Sequence, residues 1–198
     1  MEAKNILLVG VGGQGVVLAA ELLALAAQEA GYDVKQTEVH GVAQRGGAVS
    51  SHVRIGPKVF SPLTKPGEVD ILLALEKLEA LRYAHHLKEG GVAIVNDHEI
   101  EPIRFPGDER PYPKEAIDFL KGKGLQVIPV AATTEAIELG DRRVANVILL
   151  GVLSQFLDIP TSAWERTLEE RIPQRFLAIN QRAFARGREL AEEAKAHA

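Results

Sequence analysis

The residues best suited to chemistry in this 198-residue chain form a glycine loop near its start, Gly10-Val11-Gly12-Gly13-Gln14-Gly15. The loop follows an apolar run at residues 6–9 and precedes a long apolar segment, which is the setting that the G-x-G-x-x-G fingerprint requires. There the first glycine permits a tight turn, the second lets the backbone approach a phosphate, and the third lets helix and strand pack closely. Free amides at the start of the helix favour an anion. The loop therefore predicts an anion site, or else a nucleotide-free Rossmann-like unit whose glycines only allow close packing.

A second segment with binding chemistry reads Glu38-Val39-His40-Gly41-Val42-Ala43-Gln44-Arg45-Gly46-Gly47. Glu38 ends a predicted strand, where a dinucleotide site places its ribose-binding acid. Arg45 is a permanent cation whose flat guanidinium suits phosphate or carboxylate, although a turn with a solvated arginine is the alternative. If the sheet is parallel, the segment lies beyond a strand's carboxyl end, where open α/β sheets bind ligands. The candidate binding residues of the two segments are Gly10, Gly12, Gly13, Gln14, Gly15, Glu38, His40, Gln44, Arg45, Gly46 and Gly47.

No catalytic or metal-binding residues are predicted. Ser50 and Ser51 lie in no nucleophile elbow, and the histidines show no metal-ligand spacing. Glu76 follows a predicted strand and could serve as a general base, but an acid in the first turn of a helix is the favoured interpretation.

The elements that must position these residues alternate along the chain as β-α-β units. They predict a three-layer, Rossmann-like α/β domain with a mostly parallel sheet, an antiparallel hairpin near residues 49–61 and a helical C-terminal region. The first helix, predicted over residues 14–30, is apolar apart from a narrow stripe containing Gln14, Glu21 and Gln28. A surface helix needs a narrower apolar face, so we expect a second partner besides the sheet, and another chain is one candidate. No linker or repeat divides the sequence, which predicts a single domain over residues 1–198.

Composition excludes several classes of function. The net charge is −4 and the sequence contains no cysteine. A nucleic-acid partner usually requires a basic face, and iron–sulfur clusters require thiolate ligands. The first apolar run has no basic segment before it and no stretch is long enough to span a membrane, so the sequence predicts a cytoplasmic protein.

Both glycine segments resemble the gamma-type subunits of the 2-oxoacid:ferredoxin oxidoreductases. Further similar segments are Asn146-Val147-Ile148-Leu149-Leu150-Gly151 and Asn180-Gln181-Arg182-Ala183-Phe184. The resemblance covers nearly the whole chain and extends best to the small (beta) subunit of the indolepyruvate type. It implies that residues 1–198 form one pyruvate/ketoisovalerate oxidoreductase gamma-type domain.

The resemblance also implies the reaction and the partners. Such enzymes decarboxylate a 2-oxo acid on thiamine diphosphate, transfer the acyl group to coenzyme A and pass electrons through iron–sulfur clusters to ferredoxin. Thiamine diphosphate, Mg²⁺ and the clusters are expected on a large alpha subunit, with no cofactor bound by this chain alone. We expect a homo- or hetero-oligomer, inactive as the isolated chain, with no nucleic acid and no membrane partner. The small subunit would complete the complex and lie near the coenzyme A side of the active site.

Two other interpretations fit the residues. A stand-alone NAD(P)-dependent Rossmann dehydrogenase would explain the glycine loop and Glu38, but the sequence offers no catalytic His, Lys or Tyr in a recognisable setting. A non-catalytic ligand-binding module would explain the loop alone.

Overall fold

A computed structural model describes residues 2–40, 47–102 and 111–196. Six strands form one sheet in the order β2-β3-β1-β4-β5-β6. Their bounds are β1 Lys4–Val11, β2 Asp33–His40, β3 Ala48–Gly56, β4 Val69–Ala74, β5 Leu87–Asn96 and β6 Gln126–Val130. The helices are α1 Val16–Glu29, α2 Lys77–Tyr83, α3 Ala116–Gly122, α4 Ala132–Leu139, α5 Ala145–Ser154, α6 Thr161–Arg171 and α7 Gln174–Ala196, with 3₁₀ turns at Ala84–His86 and Arg142–Val144.

The sheet is mixed. Strands β1, β4, β5 and β6 are parallel, whereas β3 pairs antiparallel with both β1 and β2. The α/β class, the mostly parallel sheet and the helical C-terminal region are therefore confirmed. The hairpin expected near residues 49–61 is corrected in one respect: its first strand is β3, but residues 57–61 form no strand. Instead, the loop Pro57-Lys58-Val59 turns away at the end of β3, where Asp33 accepts a hydrogen bond from the Val59 amide at 2.8 Å.

Helices cover both faces of the sheet. The side chains of β1 alternate between two apolar clusters, with Ile6 and Leu8 facing α1 and α5 and with Leu7 and Val9 facing α2. All four are fully buried, as expected for a strand inside a parallel sheet. The three-layer arrangement is thus confirmed within the described residues.

Helix α1 finds its second partner inside the same chain. It packs on the sheet with one side and on α5 and α6 with others. Two of its charged side chains are also paired with α6, because Glu29 pairs with Arg166 at 2.5 Å and Glu21 pairs with Arg171. The extra apolar surface of α1 therefore does not require another chain.

Helix α5 is enclosed by its neighbours, and every residue from Asn146 to Ser154 is buried. Its main neighbour is α7, and the two helices cross where Gly151 of α5 meets Gly187 of α7. There the backbone of each helix lies directly against the backbone of the other. A Cβ on Gly187 would overlap the Ile148 carbonyl oxygen. The contact exists only because both residues lack a side chain.

Candidate functional site

A cavity of about 260 Å³ opens at the carboxyl edge of the parallel strands. Helix α1, which follows β1, packs on one face of the sheet, and α2, which follows the neighbouring β4, packs on the other. Such a switch point leaves a crevice where open α/β sheets bind ligands. We call this cavity the cleft. Its lining residues are Gly13, Gln14, Gly15, Leu18, Leu75, Asn96, His98, Ile100, Thr133, Arg142, Arg143, Ala145, Asn146 and Leu149.

The glycine loop forms one wall of the cleft and is held by internal hydrogen bonds. The Val11 amide donates to Oε1 of Gln14 at 2.8 Å, and the Gly12 amide donates to the Gly47 carbonyl at 2.9 Å. The Gln14 amide donates to the Val11 carbonyl. The backbone amides of Gly13 and Gly15 donate to no residue in the described part of the chain, and together with those of the first turn of α1 they are suited to an anion.

Gln14 positions the loop through its side chain. While Oε1 accepts from Val11, Nε2 donates to the Leu75 carbonyl at the end of β4, at 2.8 Å. Gly10 makes room for this bridge, since a Cβ there would lie 2.9 Å from Oε1 of Gln14. The predicted tight turn is present, but the side chain of Gln14 ties it to the next strand.

The floor of the cleft is an amide network. Asn96, the last residue of β5, donates to the Leu75 carbonyl at 3.0 Å and to the Thr133 hydroxyl at 2.9 Å. Its own oxygen accepts from the Thr133 amide at 3.3 Å. The ends of β4 and β5 and the start of α4 are therefore held as one unit beneath the glycine loop.

The far wall comes from the start of α5. Asn146 donates from Nδ2 to the Gly15 carbonyl at 3.2 Å, joining the amino ends of α5 and α1. Arg142 and Arg143 precede it in the 3₁₀ turn. Arg143 is paired with Asp141 at 2.6 Å and lies over the ring of Phe176, whereas Arg142 has no ion pair with any described residue. The cleft is thus lined by two guanidinium groups and by amide donors, and none of its described lining residues is acidic.

Glu76 is a structural residue in this arrangement. Its side chain is fully buried and caps α2, with Oε2 accepting from the Glu79 amide at 2.9 Å. Oε1 accepts from the Tyr112 hydroxyl and from the Ile100 amide. Burial and this carboxylate raise the pKa of Tyr112 far above its usual value. The structure thus places Glu76 at the start of α2, as its interpretation as a helix-start acid predicts.

The second predicted binding segment is divided by the sheet order. Gly47 reaches the glycine loop through its carbonyl. Glu38, however, pairs with Ser51 of β3, and Ser51 pairs on its other side with Leu8 of β1. One strand thus separates Glu38 from β1, a distance of about 10 Å at ordinary strand spacing, and Glu38 does not line the cleft. His40 ends β2, and the predicted Gln44, Arg45 and Gly46 lie outside the described residues.

Sequence reasoning missed the donors contributed by the later elements. Asn96 ends a strand, and His98 and Thr133 come within three residues of a strand end. The rule that ligands bind at the carboxyl ends of parallel strands, applied to every strand, would have found all three. Arg142 carries no such signal, because its position depends on how α5 packs.

Comparison with known proteins places this arrangement in a family. A family model described as pyruvate ferredoxin/flavodoxin oxidoreductase matches residues 5–190. The chain is 37% identical to an indolepyruvate oxidoreductase subunit IorB of Thermococcus kodakarensis, covering 98% of both chains. It is 34% identical to a 2-oxoglutarate synthase subunit KorC of Methanocaldococcus jannaschii, covering 96% of this chain and 95% of that one.

A solved structure supports the same assignment. The gamma subunit of a keto/oxoacid ferredoxin oxidoreductase from Geobacter sulfurreducens superimposes with a TM-score of 0.73 at 28% identity, covering 96% of this chain and 99% of that one. No helix in the described part of the chain has the length and hydropathy needed to cross a membrane. The matches in sequence and fold extend over almost the whole length, and the chain belongs to the pyruvate ferredoxin/flavodoxin oxidoreductase family.

Proposed function

We propose that this chain is the small subunit of a cytoplasmic 2-oxoacid:ferredoxin oxidoreductase of the indolepyruvate type. The observation that carries the proposal is the near full-length similarity to IorB, which exceeds that to KorC. The enzyme would oxidatively decarboxylate an aryl 2-oxo acid to its acyl-CoA and deliver electrons to ferredoxin. Residues 1–198 act as a single domain in this proposal.

The redox cofactors belong to a partner. The chain has no cysteine, so it offers no thiolate to an iron–sulfur cluster. In the described ranges, no group of three or more His, Asp or Glu side chains is arranged to hold a metal ion. We therefore assign the clusters, thiamine diphosphate and Mg²⁺ to a large subunit, and we assign to this chain a role in binding and in completing the complex.

The cleft fits an anionic portion of coenzyme A. The amides of Gly13 and Gly15, the side chain of Asn146 and the guanidinium of Arg142 surround a crevice of suitable charge. The predicted Gln44, Arg45 and Gly46 complete the candidate site in the proposal, together with Gly47 and His40. Gln14 acts by positioning the loop.

A dinucleotide is disfavoured by the sheet order. Because β3 lies between β1 and β2, Glu38 cannot contact a ribose held at the glycine loop in the way that the dinucleotide fingerprint requires. Calorimetry with NAD and NADP tests this directly. Micromolar binding by the isolated chain would replace our proposal with the dehydrogenase interpretation.

The decisive experiment is reconstitution. The large subunit is expressed with and without this chain, and reduction of ferredoxin or viologen is measured with indolepyruvate, 2-oxoglutarate and pyruvate. We expect activity only with both chains and the highest kcat/KM for indolepyruvate. Equal activity without this chain would contradict the subunit assignment, and preference for 2-oxoglutarate would contradict the substrate class alone.

A further inference from the structure

His98 and Arg142 are brought together by different parts of the chain. His98 follows β5, and its backbone is fixed by hydrogen bonds to the Asn96 carbonyl at 2.8 Å and from the Lys77 amide at 3.1 Å. Arg142 begins the 3₁₀ turn before α5. Both residues line the cleft, as do Gly13, Gln14 and Gly15 of the glycine loop.

Burial and the charged groups around His98 change its pKa in opposite directions. Burial first, and then the Arg142 guanidinium, lower the pKa of the His98 imidazole below its usual value. Three carboxylates oppose this shift: Glu76 from α2, and Asp97 and Glu99 from the segment around His98 itself.

Each of these three carboxylates already has a hydrogen-bond or ion-pair partner. Asp97 and Glu99 pair with Lys77 at 3.1 and 2.7 Å. Glu76 accepts from the Glu79 amide and the Tyr112 hydroxyl. With its pKa below the usual value of a histidine, the His98 imidazole is mostly neutral near pH 7, and its ring has no hydrogen-bond partner among the described residues.

We infer that His98 takes up a proton when the cleft binds a phosphate monoester, so that it becomes a second cation beside Arg142. The inference rests on the proposed function, in which the cleft holds an anion. A monoester dianion carries two negative charges into a partly buried crevice. Of the two arginines among its described lining residues, Arg143 is already paired with Asp141, so that Arg142 supplies the one remaining positive charge. The uncompensated charge favours imidazolium over imidazole, which reverses the effect of Arg142 on His98.

Ligand class and pH dependence follow from this coupling. A phosphodiester or pyrophosphate group carries one charge per phosphorus and would draw the proton less strongly than a monoester. By linkage, a ligand whose binding makes His98 take up a proton binds more tightly as pH falls. The affinity rises by at most about tenfold per pH unit for one proton. The gain should appear between about pH 8 and 6.5, because below about pH 6 the monoester itself protonates.

Calorimetry of the full chain tests the inference with coenzyme A, which carries a phosphate monoester, and dephospho-coenzyme A, which lacks it. Titrations in buffers of different ionisation enthalpy give the number of protons taken up. We expect uptake with coenzyme A, less with dephospho-coenzyme A, and several-fold tighter coenzyme A binding at pH 6.5 than at pH 8.

Variants identify the proton acceptor. His98→Gln, with His98→Asn as a second choice if the first variant folds poorly, should bind coenzyme A without proton uptake and with a flatter pH profile. His85→Gln is the matched control, because His85 is exposed and its ring nitrogen contacts the Arg82 carbonyl far from the cleft.

The outcomes separate this inference from the proposed function. Coenzyme A binding without proton uptake, or uptake that survives in His98→Gln, overturns the coupling while the small-subunit assignment stands. Failure of every phosphate probe to bind overturns the cleft as an anion site, and the coupling with it, whereas the reconstitution assay reports on the subunit role independently.

Discussion

Asn146 and Gly15 fix the amino ends of two helices against each other. The Asn146 amide donates to the Gly15 carbonyl at 3.2 Å, and a Cβ on Gly15 would lie only 2.5 Å from the same amide nitrogen. Gly15 also has a φ of +79°, in the left-handed region that disfavours other residues. One glycine therefore serves both the turn into α1 and the approach of α5.

Replacement of Gly15 by alanine should destabilise the protein and weaken ligand binding in the cleft. The left-handed backbone costs about 1–2 kcal/mol, and the clash with Asn146 adds to it. The matched control is Gly13→Ala, since Gly13 has a φ of +105° but a Cβ there would meet no atom within 4 Å. Urea unfolding should show Gly15→Ala to be less stable than Gly13→Ala by at least about 1 kcal/mol. Equal losses would mean that the Asn146 contact relaxes freely.

The crossing of α5 and α7 should not tolerate a single added methyl group. In Gly187→Ala the new Cβ would collide with the Ile148 carbonyl, so the helices must separate, at an expected cost of about 3 kcal/mol or more. Gly122→Ala in α3 is the control, because a Cβ there meets nothing within 4 Å. It should be neutral or stabilising by up to about 1 kcal/mol. Thermal unfolding of both variants shows whether the loss of stability comes from the close contact at Gly187 or from replacing any helical glycine. A similar loss in both variants would contradict the prediction.

Much of this architecture is visible in the sequence, but the strand order is not. The buried run at residues 6–9 follows from local composition, and the structure has it within β1. The turn of the glycine loop begins only at Gly12, because Gly10 is still part of the strand. The insertion of β3 between β1 and β2 depends on pairing across the chain, which no local pattern encodes. Likewise, the sequence indicates that α1 needs a second apolar neighbour but cannot say that α6 supplies it.

A buried histidine and its half-buried neighbour should make stability fall in acid. His52 of β3 and His86 lie with ring centroids 6.4 Å apart, and Nδ1 of each is buried without a hydrogen-bond partner among the described residues. Burial is the main cause of the lowered pKa of both imidazoles. The unfolded chain, with ordinary histidine pKa values near 6.5, then binds more protons than the folded one.

The free energy of unfolding should therefore decrease as pH falls below about 6.5 and continue to decrease until the folded-state pKa values are passed. Chemical denaturation between pH 8 and 5 measures this slope. His52→Phe should reduce it, whereas His85→Gln, at an exposed histidine beside the pair, should change it less. An identical slope in His52→Phe would assign the acid sensitivity to other groups.

An exposed apolar pair should contribute to binding of the large subunit. Phe60 is 85% exposed and Leu63 59% exposed, yet their loop is anchored. Arg54 donates to the Ser61 and Leu63 carbonyls, and Val59 is buried. Apolar side chains presented on a fixed loop are typical of interface anchors.

The double variant Phe60→Ser, Leu63→Ser should retain its stability, because neither side chain packs in the core. Its affinity for the co-expressed large subunit should fall by about tenfold or more. Ile137→Ser and Phe119→Ser, which also remove exposed apolar side chains, are controls for general surface effects. Unchanged co-purification of the Phe60 and Leu63 variant, measured by quantitative pull-down, would place the interface elsewhere.

The position of β3 has a consequence for how such sequences are classified. A glycine fingerprint describes only a strand, a turn and a helix, and these three parts are intact here. Glu38, the acid that would complete a dinucleotide site, lies on β2. Because β3 lies between β2 and β1, Glu38 is far from the glycine turn although both sequence motifs are unchanged. Strand adjacency, rather than the spacing of the glycines, decides whether the two motifs act on one ligand.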